Sequence, residues 1–456
     1  MNFTLQEMAT ILNAPITNEA SVNVTSTTFD SRKAQPGSLF IPLVADNDGH
    51  DYVQSAIDNG ATVTLWQNDH PDTPTGIPTL VVPDTLAAFQ TLAAHYLAQV
   101  APKIIAISGS NGKTTTKDLI AAIGASTFKT VKTPANFNNE IGVPTTILSM
   151  PADTELLVIE FGMDRPGDLT FLSKMVQPDI AVLTMIGEAH IEFFKTRDRI
   201  ADGKMEIING LKADGTLVYN GDEPLLTARA TQHAELHTLT FGLEPHNDIY
   251  ASTIAMTPVT TTFNINTDAD TYQIPLTGRY NVSNALAAIA VGQKLGIAST
   301  TIATALTNAS ITENRTEWLP GQFGGQILSD VYNSNPTAAK EVLHFFAETP
   351  VAGERFAVLG DMLELGEAGP ALHASLAEKL DPAKIQQVYL VGDIMKNLMD
   401  ALTNIYPADH VHHYAKDDKD HLVADLQQAL TADDLIMLKG SHGIHLETVV
   451  AALQAK

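Results

Sequence analysis

The chain has 456 residues, 44% of them apolar, with 52 Asp and Glu against 27 Lys and Arg for a net charge of −25. At roughly 150 residues per domain this allows about three domains with real cores, which excludes a disordered tail. The absence of cysteine excludes a disulfide scaffold, a thiolate metal site and a cysteine nucleophile, and the acidic field excludes general nucleic-acid binding without excluding small anions held by a few placed cations.

No run approaches the ~18 apolar residues of a membrane span. The segment from Met1 to Glu7 has no basic stretch leading into an apolar one, so the expectation is a cytoplasmic protein. Leu5–Leu12 has helical spacing. Strands are expected at 38–44, 61–66 and Thr79–Val82, with a turn-rich loop over 69–78 and a helix over 86–100. A boundary is expected near 100–103, where the pattern changes to strand-then-helix units. Buried β-branched runs at 104–107, Leu156–Glu160, 180–185 and 216–219 suit a parallel sheet. Thr-rich alternation over 247–277 suggests a small antiparallel insertion, followed by a helix over 282–295. A second boundary is expected at 314–325. Strands then recur at 326–331, 355–359, Gln387–Val391, Val411–Tyr414 and 435–438, separated by helices such as 336–346 and 368–380. The expected fold is α/β in three domains: a smaller α/β unit over 1–100, a central unit with a parallel or mixed sheet over 101–314, and a doubly wound unit over 315–456.

The best chemical signal follows the strand at 104–107. Gly109, Ser110, Asn111, Gly112, Lys113, Thr114 and Thr115 form a loop that opens a helix. Glycines let backbone N–H groups turn inward around phosphate oxygens, and the new helix aims its N-terminal donors at the same point. Lys113 reaches for the β- and γ-phosphates, and the Thr114 hydroxyl offers a ligand to Mg²⁺. The standard P-loop spacing wants a glycine at Ile107, so this is a shortened loop. Glu160 ends one strand and His190 follows another, both at the carboxyl edge where open parallel sheets bind ligands. Glu160 suits Mg²⁺, which prefers oxygen, and His190 is a less usual partner. Asp164-Arg-Pro-Gly167 mimics a GTPase switch, but the guanine-reading N-K-x-D is absent. His410-Val-His-His413 falls on a strand, where successive side chains alternate faces, so it does not read as a chelate. Asn281-Val-Ser and Asn308-Ala-Ser fit glycosylation acceptors that a cytoplasmic protein leaves unmodified.

These motifs together resemble the Mur ligases. The resemblance runs through Asp30-Ser-Arg-Lys33, Asp48-Gly-His-Asp51, the Gly109 to Thr116 loop, Asn136-Phe-Asn-Asn-Glu140, Glu188-Ala-His190, Lys204-x-Glu206, Gly278-Arg-Tyr-Asn281 and Asn314-Arg315. Asp330-Val-Tyr-Asn-Ser-Asn-Pro336 and Gly360-Asp-Met-Leu-Glu-Leu-Gly366 select the branch that adds D-Ala-D-Ala to a UDP-muramoyl tripeptide. The resemblance implies a UDP-sugar-binding N-terminal domain, a central P-loop-type ATPase domain and a C-terminal Rossmann-like domain. It implies ATP, two Mg²⁺ ions and an acyl-phosphate intermediate. Lys113, His190 and a carbamylated Lys204 would be catalytic, and Thr114, Glu160 and His190 would bind metal. Asn281, Arg315 and Asp330 would touch the nucleotide, Ser31 and Arg32 the uridine diphosphate, and Asn138 and Asn139 the region between the substrates. The sequence departs from the family pattern at Tyr280, where His is frequent, and at His442, where Arg is frequent. A monomer is the expectation, with linkers near 100 and 314–325 as hinges. The alternatives are a sister ligase adding the third residue, a folylpolyglutamate synthase, which would lack the first hundred residues, and a nucleotide-dependent switch without turnover.

Overall fold

The computed structural model describes residues 1–313 and 315–455. Asn314, within the expected second boundary, lies outside the described residues. The first helix, Leu5–Leu12, starts where Thr4 and Glu7 cap each other: the Glu7 N–H donates to Thr4 Oγ1 at 3.1 Å and the Thr4 N–H to Glu7 Oε2 at 2.7 Å. Short strands then build a five-stranded sheet in which Val63–Gln67 lies between Thr79–Val82 and Ser38–Phe40. The strand expected over 38–44 is shorter because Pro42 has no N–H to give a ladder. The helix Thr85–Val100, capped by Asp84, covers this sheet.

The central sheet has nine strands, and six in a row from one edge are parallel: Thr130–Lys132, Leu156–Glu160, Lys103–Ser108, Ile180–Leu183, Thr216–Asn220 and His237–Gly242. The Thr-rich stretch is antiparallel within itself, as Ile249–Met256, Thr261–Ile265 and Thr271–Ile274. It is not a separate insertion. Phe241 and Gly242 pair in parallel with Ile249 and Tyr250, so the hairpins extend the central sheet. Period-two alternation splits each buried run between two cores. Ile104, Ala106, Leu157 and Ile159 face the core shared with the N-terminal unit. Ile105, Ile107 and Val158 face the helices Lys113–Ala125 and Arg279–Lys294. The junction near residue 100 therefore joins two units that share one apolar core. Tyr96 Oη donates to Met150 O at 2.9 Å across it.

The C-terminal sheet runs in the order Glu317–Pro320, Gln326–Asp330, Leu435–Lys439, Arg355–Gly360, Gln387–Val391 and Val411–Tyr414. Only the edge strand Glu317–Pro320 is antiparallel. The helix Pro336–Glu348 begins with proline at its first position and Asn335 as its cap. The helix expected over 368–380 breaks into Gly369–Ala374 and a 3-10 turn, Ser375–Lys379. Among the described residues, no helix is long and apolar enough to cross a membrane.

Candidate active site at the carboxyl edge of the central sheet

Parallel register brings Glu160 beside Ile107 and Leu183 beside Ser108, so three strands end together at the glycine loop. Two glycines there have no substitute. Gly109 has φ +151°, and a Cβ on it would stand 1.8 Å from Thr184 Oγ1. Gly112 has φ +81°, and its Cβ would stand 2.3 Å from Asn284 Oδ1. The loop is pinned by the neighbouring strand end: the Ser110 N–H donates to Met185 O at 2.9 Å, and Thr184 Oγ1 donates to Asn111 O. Gly112 then leads into the helix Lys113–Ala125, whose free N–H groups face the loop. Lys113 Nζ reaches back across it, donating to Gly109 O at 2.8 Å and Ser110 O at 3.4 Å. Burial lowers the Lys113 pKa, with Glu160 opposing.

Beside the loop, Thr114 Oγ1 lies 3.0 Å from Glu160 Oε2, and Asn138 Nδ2 donates to Glu160 Oε1 at 2.9 Å. Glu160 is buried, and its carboxylate meets these neutral donors together with the nearby charges of Lys113 and Arg315. Arg315 NH2 donates to Thr114 Oγ1 at 3.3 Å. A hydroxyl and a carboxylate converging at a phosphate loop are the oxygen donors Mg²⁺ prefers, so the residues fit that ion. Lys204 is 1% exposed, and Nζ reaches Ser108 Oγ at 3.4 Å. Burial, and then the charge of Lys113, hold its pKa well below the ordinary value. His190 Nδ1 lies 2.7 Å from Glu364 Oε2 and 3.3 Å from Asp164 Oδ1. Neither carboxylate is in line with a ring N–H, which leaves the buried Nδ1 without a formal hydrogen bond.

The C-terminal domain closes over this edge mostly through polar contacts, with Ile191 and Tyr280 packing on its apolar core. The side-chain amides of Asn111 and Asn335 bond reciprocally at 3.2 and 2.6 Å. Glu188 Oε2 accepts from the Thr337 N–H at 3.1 Å and its hydroxyl at 2.7 Å. Asp330 is held by Lys439 Nζ at 2.5 Å, which also donates to Asn333 O at 3.0 Å. A cavity of 270 Å³ lined by Thr114, Arg315, Tyr332, His442 and Glu447 opens between the two domains. The Arg315 guanidinium lies 4.0 Å over the Tyr332 ring.

The structure thus gathers Gly109, Ser110, Asn111, Gly112, Lys113, Thr114, Thr115, Asn138, Glu160, His190, Lys204, Arg315 and Asp330 around one edge. Other sequence candidates lie apart. Asn281 reaches the loop only through Asn284: it donates to Thr277 O at 2.7 Å and accepts from Asn284 Nδ2 at 3.0 Å. Asn139 Oδ1 turns away to accept the N–H groups of Ile141 and Gly142 at the next helix. Ser31 and Arg32 sit in the N-terminal domain, where the exposed Arg32 guanidinium forks onto Asp30. That contact brings the Asp30 carboxyl down to about 2. Residues Asp164 to Gly167 form a helix-entry turn, with Asp168 Oδ2 accepting the N–H groups of Asp164 and Arg165. His410 and His413 turn to backbone carbonyls, and His412 stacks on Tyr389.

Sequence reasoning missed Asn284, Asn335, Glu364 and Lys439; Asn335, for one, meets Asn111 across 224 residues of chain. Asn335 and Glu364 stand inside motifs quoted above, while Asn284 lies three residues past Gly278-Arg-Tyr-Asn281 and Lys439 directly after the strand expected at 435–438. Asp48, His50 and His70 also cluster. His50 gives its Nδ1 proton to Asp48 at 2.7 Å, accepts the Gln67 N–H on Nε2 at 3.3 Å, and stacks on His70 at 11°. Both its nitrogens are in use, and parallel rings cannot aim in-plane lone pairs at one ion, so hydrogen bonding accounts for the cluster.

Comparison with known proteins agrees with this geometry. Residues 107–292 match the Mur ligase middle domain and residues 314–442 match the Mur ligase glutamate ligase domain. The UDP-N-acetylmuramoyl-tripeptide–D-alanyl-D-alanine ligase of Bacillus subtilis is 39% identical over 426 residues, 93% of this chain and 92% of that one. The chain belongs to the Mur ligase family. Among solved structures, MurF from Acinetobacter baumannii superposes with a TM-score of 0.90 at 26% identity, covering 99% of this chain and 98% of that one. The MurF ligase of Thermotoga maritima in complex with ADP gives a TM-score of 0.83 at 27% identity, covering 94% and 97%. The three-domain α/β architecture of this Mur ligase is the one those structures share.

Proposed function

We propose that this Mur ligase is an ATP-dependent amide ligase that adds D-Ala-D-Ala to UDP-N-acetylmuramoyl-tripeptide, completing the pentapeptide precursor of peptidoglycan. The observation that carries this is the Thr114–Glu160 pair, set between the phosphate loop and Arg315, in a chain aligned nearly end to end with ligases of that name.

The loop amides and the helix N-terminus bind the triphosphate, and the Lys113 ammonium turns from the carbonyls of Gly109 and Ser110 onto its oxygens. Thr114 and Glu160 would hold one Mg²⁺, with Asn138 orienting the carboxylate. His190 and a carbamylated Lys204 would hold a second. Bound Mg²⁺ supplies charge neutralisation that lets an anionic carboxylate approach a triphosphate. The tripeptide carboxylate oxygen attacks the γ-phosphorus, giving an acyl phosphate and ADP. The D-Ala-D-Ala amine then adds to the acyl carbon, loses a proton, and phosphate leaves as the amide forms. Arg315 faces the nucleotide phosphates, Asp330 and the Asn281–Asn284 pair its nucleoside side, and Ser31 and Arg32 the uridine diphosphate. Asn138 lies between the two substrates, with Asn139 holding the start of the next helix behind it. The domains are taken as 1–100, 101–314 and 315–456. Every group named lies on one chain, so a monomer suffices, and the substrates are those of a cytoplasmic reaction.

The test is phosphate release from Mg·ATP with UDP-muramoyl tripeptide, with and without D-Ala-D-Ala. Release that needs both substrates, with an amide-linked pentapeptide by mass, is the expected result. Turnover with a single amino acid instead would overturn it.

A further inference from the structure

One turn beyond Thr114, on the same face of the helix Lys113–Ala125, stands Asp118, whose side chain is 0% exposed. Its Oδ1 accepts from Lys132 Nζ at 2.6 Å, with Lys117 Nζ at 3.6 Å. Its Oδ2 accepts the Thr312 N–H at 2.9 Å and the Thr312 hydroxyl at 2.7 Å. Thr312 lies in the connection to the C-terminal domain, three residues before Arg315. The helix therefore grips that connection twice: through Asp118 at Thr312 and through the Thr114 hydroxyl at Arg315. Lys117 continues the network inward. It donates to Thr133 O at 3.0 Å, and Thr133 Oγ1 accepts the Glu160 N–H at 2.9 Å.

A buried carboxylate facing two cations is costly unless its remaining lone pairs are filled. Here they are filled by the connection itself. Fixing Thr312 leaves few residues of freedom before Arg315, whose guanidinium must stand at Thr114 while stacking on Tyr332.

We propose that Asp118 is a positioning residue. It fastens Thr312 to the phosphate-loop helix and thereby sets the Arg315 guanidinium against the bound nucleotide's phosphates. The inference rests on the reading that Arg315 meets those phosphates.

The test uses the full chain and calorimetric binding of a non-hydrolysable ATP analogue with Mg²⁺. Thr312→Val removes the hydroxyl at constant shape and is expected to weaken binding about tenfold, the scale of one hydrogen bond to a charged group. Thr312→Ser should restore it to within about twofold. In an Arg315→Ala background Thr312→Val should change binding by less than about twofold, because its effect is already spent there. A full, additive loss in that background would overturn the proposal, as would a lowered melting temperature with unchanged affinity. Arg315→Ala with normal affinity would instead refute the reading of Arg315 itself, whatever Thr312→Val does. Asp118→Asn leaves Lys117 facing Lys132 and is expected to fold poorly, so the Thr312 variants decide.

Discussion

Replacing Gly112 by alanine tests whether the phosphate loop is held as tightly as its geometry implies. Two costs add. A side chain at φ +81° costs about 1–2 kcal/mol. The new Cβ also meets Asn284 Oδ1 at 2.3 Å, and Asn284 cannot simply swing away. It accepts from Thr116 Oγ1 at 3.3 Å and donates to Asn281 at 3.0 Å. Losing those two bonds costs about 1 kcal/mol each, so the total is roughly 3–4 kcal/mol. Gly296 is the control. It has φ +76°, nothing within 4 Å of a Cβ, and a place after a helix packed on the same core, so Gly296→Ala should cost only the backbone share of about 1–2 kcal/mol. Urea unfolding compares the midpoints, and calorimetry with Mg·ADP reads the loop. Gly112→Ala should bind ADP at least about tenfold more weakly, while Gly296→Ala binds normally. Equal midpoints for the two variants, with ADP binding intact in both, would refute the crowding argument.

Glu160→Gln preserves shape and removes the charge between Thr114 and Asn138. It should lower kcat by roughly 10²-fold and shift the Mg²⁺ requirement upward, which a titration of rate against Mg²⁺ reads; an unchanged titration would remove Glu160 from the metal site. Lys204 has its pKa depressed by burial, so its neutral amine is present above that lowered value and lost as pH falls through it. Only the neutral amine takes up CO2, so activity lost in CO2-free buffer should return with bicarbonate, more slowly as pH is lowered, while Lys204→Met should not respond. Adding the ATP analogue and UDP-tripeptide should change distances between labels on the central and C-terminal domains and leave those between the N-terminal and central domains fixed. The reverse pattern would refute the assignment of the hinge to the second connection.

That last expectation differs from what the chain alone suggests. Residues 100–103 and 314–325 look alike as linkers: each punctuates a change of pattern. The structure separates them by the chemistry of what they join. Alternation in 103–108 and 156–160 sends Ile104, Ala106, Leu157 and Ile159 into a core with Leu92, Tyr96 and Leu97. Opening that junction would return apolar side chains to water at about 25 cal/mol per Å². The second junction is mostly polar, held by amide pairs, a carboxylate on a helix start and an arginine on a hydroxyl, with Ile191 and Tyr280 as its apolar contacts on the C-terminal core. Water replaces the neutral ones at a net cost of about 1 kcal/mol each and the charged ones at about 1.5–3 kcal/mol.

The same distinction explains what was legible. Buried runs and the glycine loop announce themselves locally, because a strand's period and a left-handed glycine are properties of a few consecutive residues. The strand His237–Gly242 was not legible, because its first residues are exposed and polar and its place is set by Tyr219 and Ile249. Asn335 was not legible as a partner of Asn111, because their pairing depends on how two sheets dock. Lys439 was not, because a lysine on an apolar strand signals nothing until Asp330 is seen across the ladder from it. A sequence displays the residues that bend the chain around a phosphate. It does not display those that hold one domain against another, since each carries half of a contact whose meaning lies with the other half.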